Sequence, residues 1–254
     1  MTRPPKARVR QSFERAAATY DAAASVQRLI CNRLLNGLPL GAGIQRALDA
    51  GCGTGYAQGL LHQRYPAAEF ISLDLSAAML KHIASPCQRI AGDLEHLPLA
   101  DRSIDLYWSS LAVQWCDLAQ ALREARRVLR PHGHLVLATL GPSTFHELRT
   151  AFSRIDNYQH TLSFHAPAEI ETLARQSGLS AVNSKNHQEI AYYPDLRSLL
   201  HAVKAVGANQ LGSGRRTGLM SRSTLRRVEH AYETLRQPAG LPLTYDIISL
   251  HAQS

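Results

Sequence analysis

Three glycines fall within five positions, Gly51, Gly53 and Gly55, in the stretch "LDAGCGTGYAQGLL" at residues 48–61. Glycine-rich turns between a strand and a helix hold several kinds of nucleotide, and the neighbouring residue types decide which. A dinucleotide turn favours G-x-G-x-x-G, which this spacing is not. A phosphate loop needs a Lys followed by Ser or Thr, and none follows here. Asp49 stands two residues before the first glycine. A carboxylate there would repel a phosphate but attract an ammonium group. Asp74 ends the next apolar run, about 20 residues on, where an acid accepts both hydroxyls of a ribose. Asp93 ends a third run, and Leu94 after it suits an adenine edge. Three acids at three adjacent strand ends predict S-adenosylmethionine, a cationic nucleoside carrying an amino acid, in place of NAD or ATP.

Those residues need a scaffold of alternating elements. The pattern predicts one long helix over 12–37, then strands at 46–50, 69–75, 88–93, 103–110 and 134–141. A helix over 56–65 stops before Pro66, and Ser76 caps a helix in "AAMLKHIA". Asp117 starts a helix whose Leu118, Leu122, Ala125 and Leu129 share one face, with Pro131 and Gly133 ending it. "HGH" at 132–134 then falls in a helix-to-strand turn, and its histidines read as turn or surface residues without a metal. Beyond Gly141 the pattern predicts helices near 144–155 and 167–177, a strand near 181–192, two helices across 195–236 and a last strand from Leu241. This rhythm implies an α/β fold with a mostly parallel sheet covered by helices on both faces.

Composition narrows the class. The 254 residues, 45% hydrophobic and 19% charged, suit one globular α/β domain. No apolar stretch approaches the roughly 20 residues that span a bilayer, and no apolar segment follows the basic start, so neither membrane insertion nor a secretory signal is expected. The four cysteines form no C-x-x-C pair and read as free thiols of a cytoplasmic protein. The net charge of +8 points to an acidic partner. It concentrates in the acid-free stretch from Leu196 to Val228, which holds Arg197, Lys204, Arg215, Arg216, Arg222, Arg226 and Arg227.

"LDAGCGTG", "LDLS", "GDLEHLPLAD" and "EARRVLRPHGHLVLATLG" resemble the class I methyltransferases, over nearly the whole chain. The resemblance implies a Rossmann-like, seven-stranded sheet within a single domain over 1–254. It implies an N-terminal helical cap at 1–40, a cofactor-binding core at 41–141 and a basic helical insertion at 195–236, before the last strand. Carried over by position, Gly51, Gly53 and Gly55 line the methionine moiety, Asp74 holds the ribose, Met79 flanks the adenine, and Asp93 with Leu94 contacts it. Asp49, Cys52, Leu75 and Ser109 complete the expected cofactor set. "FERAAATYD" resembles a capping helix with Tyr20 facing the methyl-donor pocket, although a plain core aromatic reads equally well there.

The acceptor is read from the stretch after the fourth strand. Enzymes that methylate amines of nucleic-acid bases carry [DN]-P-P-[YF] there, whereas this chain has "SSLAVQWCD" and no aromatic–basic interleaving. "SSLAVQW", "TLGPSTFHELR", "FHAPAEIETL", "KAVGAN" and "GLPLTYDIISLHA" resemble one narrow family, the malonyl-acyl-carrier-protein O-methyltransferases of biotin synthesis. That resemblance implies methylation of the free carboxylate of a malonyl thioester. A carboxylate is a nucleophile at neutral pH, so no general base is expected. Gln114 and Trp115 are expected to wall the site, Gln114 supplying a donor. Arg149 or Arg215 is expected to anchor the malonyl carboxylate with paired donors. Lys204, Arg215, Arg216, Arg222, Arg226 and Arg227 are expected to dock the acidic carrier protein. Two other readings stay open: a C- or O-methyltransferase of a quinone or lipid-like ring, and a methyltransferase-fold protein that binds without catalysis.

Overall fold

The short apolar runs become strands because each buries side chains on both faces of one sheet. The computed structural model describes residues 3–38, 43–207, 211, 218 and 220–254. Its strands are β1 (Arg46–Ala50), β2 (Glu69–Asp74), β3 (Gln88–Ala91), β4 (Ile104–Ser110), β5 (Leu129–Leu140), β6 (Ser180–Tyr193) and β7 (Leu241–Gln253). They form one seven-stranded sheet in the order β3-β2-β1-β4-β5-β7-β6. β1 to β5 pair in parallel, and β7 runs antiparallel to both β5 and β6. The expected mostly parallel, seven-stranded α/β sheet is what forms.

Side chains alternate across this sheet with the strand period of two. In β7, Leu241, Leu243, Tyr245 and Ile247 face one core with Trp108, Phe145 and Leu148. Ile248, Leu250 and Ala252 face the other, with Leu48, Tyr107 and Leu122. The helices that cover the two faces are α1 (Lys6–Ala16), α2 (Tyr20–Ala23), α3 (Ser25–Leu35), α4 (Tyr56–Arg64), α5 (Ala77–Leu80), α6 (Leu118–Val128), α7 (His146–Ser153), α8 (Pro167–Gln176), α9 (Leu196–Ala205) and α10 (Arg222–Glu233). α6 shows the logic: Asp117 accepts a hydrogen bond from Gln120 N–H at its start, and Leu118, Ala121, Leu122, Ala125 and Val128 bury one stripe. No helix among the described residues is long and apolar enough to cross a membrane.

Four sequence expectations need correction. The helix begun by Asp117 ends at Val128, with Leu129, Pro131 and Gly133 already in β5, because Leu129 turns to extended backbone and pairs with Ile104. The single helix over 12–37 is three helices, because Thr19 N–H and Oγ both bond back to the Ala16 carbonyl and Ala24 leaves the helical region. The break lets α1 and α2 wrap around the strand ends, with Ala16 and Ala17 packed on Met79. The helix after Ser76 is capped as expected, Ser76 Oγ accepting from Met79 N–H, but covers only Ala77–Leu80. "HGH" lies within β5, in a bulge between the pairs Ile104–Leu129 and Leu106–His134, where His132 takes φ 64°.

Candidate active site

The carboxyl ends of β1, β2, β3 and β4 open onto a cleft of about 660 Å3. Gly51 and Gly53 turn the chain at the tip of β1, both at positive φ. A Cβ at Gly51 would lie 2.1 Å from Ala112 Cβ, whereas one at Gly53 meets nothing within 4 Å. Gly51 therefore serves close packing, and Gly53 leaves open room beside the cleft. Asp74 at the end of β2 accepts Gly53 N–H at 2.9 Å and Ser76 N–H at 2.8 Å. These bonds oppose the rise in pKa that burial imposes, and they aim the carboxylate beside the loop.

Asp49 lies beneath the turn, 2% exposed. Its Oδ2 is buried with no hydrogen-bond partner among the described residues. Burial, with the charge of Asp74, pushes its carboxyl up to about 8. A buried acid without a donor is costly unless something cationic completes it, and the ammonium of a methionine moiety fits that deficit. The far side of the cleft is closed by α1. Lys6 bonds Asp93, and its Nζ lies 2.9 Å from Glu95 Oε1, while Val9 and Phe13 from the same helix line the cleft. Leu75, Met79 and Leu94 supply apolar walls suited to an adenine.

A second cavity adjoins the first. Phe13, Tyr20, Leu111 and Trp115 line both. Phe13 and Trp115 meet edge to face, 5.8 Å between centroids. Burial and the nearby Asp74 push the Tyr20 phenol up, so it is a neutral hydroxyl. The rest of the second cavity is largely apolar, including Phe145, Leu148, Leu200 and Val203, with His160, Thr161 and Tyr245 among its polar groups.

The structure sorts the expected residues. Tyr20, Gly51, Gly53, Asp74, Leu75, Met79, Asp93, Leu94 and Trp115 all line the first cleft, with Asp49 behind it. Three others face elsewhere. Cys52 packs with Leu80 and Ile83. Gly55 starts α4 with Ile83 against it, 2.9 Å from where a Cβ would stand. Ser109 is fully buried, donating to the Ala50 carbonyl at 2.7 Å, and its neighbour Ser110 lines the cleft instead. Gln114 lines the second cavity, but its amide N–H donates to the Leu111 carbonyl at 2.7 Å and its Oε1 is the atom left unpartnered. It therefore brings an unpartnered acceptor to the cavity in addition to its amide N–H groups. Arg149 borders an adjoining depression and not the second cavity; its guanidinium bonds the carbonyls of Thr144 and Pro142. Arg215 and Arg216 lie outside the described residues. Lys204 on α9 and Arg222, Arg226 and Arg227 on α10 are exposed.

Sequence reading missed Lys6, Phe13, His160 and Tyr245. Lys6 had one trace, the acid-free run over residues 1–13. His160 follows Asp156 by four residues in a loop, where no periodicity marks it.

Residues 48–137 match the family model described as a methyltransferase domain. The chain is 64% identical over 252 residues to a malonyl-acyl-carrier-protein O-methyltransferase of Dechloromonas aromatica, covering 99% of this chain and 96% of that protein. It is 44% identical over 263 residues to one from a Methylovorus strain, with 97% and 88% covered. In structure it resembles an S-adenosylmethionine-dependent methyltransferase of Thermotoga maritima, with a TM-score of 0.58, 17% identity, and 96% and 99% of the chains covered. The sheet order, with its antiparallel β7 and the acids around the glycine turn, defines a class I S-adenosylmethionine-dependent methyltransferase. Within that class, the chain belongs to the malonyl-acyl-carrier-protein O-methyltransferase family.

Proposed function

We propose that this enzyme methylates the free carboxylate of a malonyl group carried on acyl carrier protein. The observation that carries the reading is the shared wall: Phe13, Tyr20, Leu111 and Trp115 border both the cofactor cleft and the apolar second cavity. A cofactor in the first and an acyl group in the second would meet at these four side chains. When bound, S-adenosylmethionine supplies a sulfonium methyl to which a carboxylate oxygen bonds as the carbon–sulfur bond breaks, leaving a neutral thioether and no proton to place. The protein's part is therefore alignment and exclusion of water.

Each residue has a role in that task. Asp49 pairs with the ammonium, Asp74 takes the ribose hydroxyls, and Asp93 with Leu94 holds the adenine edge. Trp115 and Phe13 form a dry aperture, with the neutral Tyr20 hydroxyl beside it. The unpartnered Oε1 of Gln114 suits an amide N–H of the pantetheine arm better than a carboxylate, because both of the latter are acceptors. The acidic carrier meets a basic exterior. Arg15, Arg197 and Lys204 border a groove between α1 and α9, and Arg222, Arg226 and Arg227 are exposed on α10. Arg215 and Arg216 belong to the same stretch of sequence. All four cysteines are free thiols, which fits a cytoplasmic setting.

The test incubates the enzyme with methyl-labelled S-adenosylmethionine and either malonyl- or acetyl-carrier protein. Label on the malonyl form alone, released by ester hydrolysis, is expected. No transfer to malonyl-carrier protein by enzyme that binds the cofactor would overturn the assignment and favour a ring acceptor.

A further inference from the structure

The second cavity poses an electrostatic problem. A malonyl carboxylate entering a largely apolar space loses water, and the loss is severe unless a positive group or donor replaces it. Of the two side chains expected for this task, Arg215 lies outside the described residues and Arg149 does not line the cavity. Arg149 donates to two backbone carbonyls outside it and, at 3.4 Å, to the hydroxyl of Thr161 on its edge, and Lys6, the other nearby cation, is paired with Asp93 and Glu95 across the cofactor cleft. Among the described residues lining the cavity, the ionisable ones are Tyr20, His160 and Tyr245. Only a histidine among these can carry positive charge.

His160 is also built into place. Its Nε2 lies 2.7 Å from Asp156 Oδ1, and both side chains are largely shielded, at 14% and 13% exposure. The ring stacks on Phe152 with centroids 3.6 Å apart and planes 14° from parallel. Asp156 Oδ1 occupies Nε2, so a second ring N–H, at Nδ1, is the one that serves another acceptor. Phe152 fixes the plane in which that donor turns.

Resting on the carboxyl-methylation reading, we infer that His160, backed by Asp156 and Phe152, is the anchor for the malonyl carboxylate and sets the preference for malonyl over acetyl substrates. One carboxylate oxygen accepts the Nδ1–H of His160, and the other faces the aperture at Tyr20 and Trp115. The ester product has lost its charge, so the same contact weakens after transfer and favours release.

The test measures binding of malonyl-pantetheine and acetyl-pantetheine to the enzyme saturated with S-adenosylhomocysteine, by calorimetry, where no turnover occurs. Wild-type enzyme should prefer the malonyl form by about 10- to 100-fold, the range for one charge-assisted hydrogen bond. His160→Phe should abolish the preference, His160→Asn should restore part of it through its amide donor, and Asp156→Asn should reduce it several-fold. S-adenosylhomocysteine affinity should stay within about twofold in all three, which separates anchoring from misfolding. Labelled methyl transfer to malonyl-carrier protein by wild-type enzyme runs alongside. Its failure would sink the function itself. Transfer by a wild-type enzyme that binds both pantetheines equally, or a His160→Phe variant that keeps the preference, would overturn the anchor alone.

Discussion

Asp49 holds a buried carboxyl whose Oδ2 has no partner among the described residues, and its pKa is pushed up to about 8 by burial and then by Asp74. The ordinary value is near 3.9, so the cofactor-free enzyme keeps a proton there across neutral pH. In linkage terms the folded, cofactor-free state is penalised as pH rises from about 4 to 8. An ammonium beside the carboxyl removes the penalty by favouring the ionised form. Cofactor binding should therefore release a proton, and S-adenosylhomocysteine affinity should rise between pH 6 and 7.5 by up to about tenfold per unit. Calorimetry in two buffers of different ionisation heat measures both. Affinity that does not change with pH would mean that Asp49 is already ionised. Asp49→Asn should bind about 10- to 100-fold more weakly without loss of thermal stability. At this scale the gathering of Asp49, Asp74 and Asp93 at the cleft was legible in sequence, because each follows an apolar run and flanks a glycine turn or a cap. His160 was not, because its partners Asp156 and Phe152 and the cavity it lines are joined only by tertiary packing.

Among the elements, the junction of α7 and β7 shapes the second cavity. Phe145 takes φ 58°, a left-handed conformation costly for a side chain of its size, on the order of 1–2 kcal/mol. It is held by its N–H bond to the Thr244 carbonyl at 2.7 Å and by edge-to-face contact with Tyr245 at 4.9 Å. Beside it the buried Glu147 accepts from Thr244, Oε1 from the hydroxyl and Oε2 from the N–H. Thr144 Oγ bridges to the Asp246 backbone at 3.1 Å. Thr244→Val preserves shape but removes the hydroxyl from a buried carboxylate, at a cost of about 1–3 kcal/mol. The expected fall in Tm is roughly 3–10 °C for a chain this size, read by calorimetry, with S-adenosylhomocysteine binding unchanged. An unchanged Tm would show that Glu147 does not depend on this donor. Strand β1 and the helices α6 and α8 were legible because their signals are local: an apolar run, the cap Asp117 and the helix-starting Pro167. The break of the N-terminal helix at Ala17–Thr19 carries no Gly or Pro and is imposed by wrapping around Met79. The bulge in β5 follows from strand pairing, which a sequence window does not contain.

For the molecule as a whole, the net charge of +8 and the exposed Arg226 and Arg227 suit an acidic carrier protein. Reversal of both to Glu should lower kcat/KM for carrier-borne malonyl substrate by about tenfold or more, mostly through association. Turnover of malonyl-pantetheine should change little, and added salt should narrow the gap between wild type and variant. Equal losses on both substrates would remove α10 from the docking surface. The sheet order also bears on how the chain comes to be folded. β6 has a single neighbour, β7, and β7 lies between β6 and β5. During synthesis β1 to β5 can pair as they emerge, but the 14 residues of β6 find no partner until residues 241–253 have left the ribosome. One flank of β5 stays unmated until then as well, an open edge of the kind that attracts wrong pairings. The second cavity, which needs Tyr245 from β7, is thus assembled last, after the strand ends that frame the first cleft have already paired.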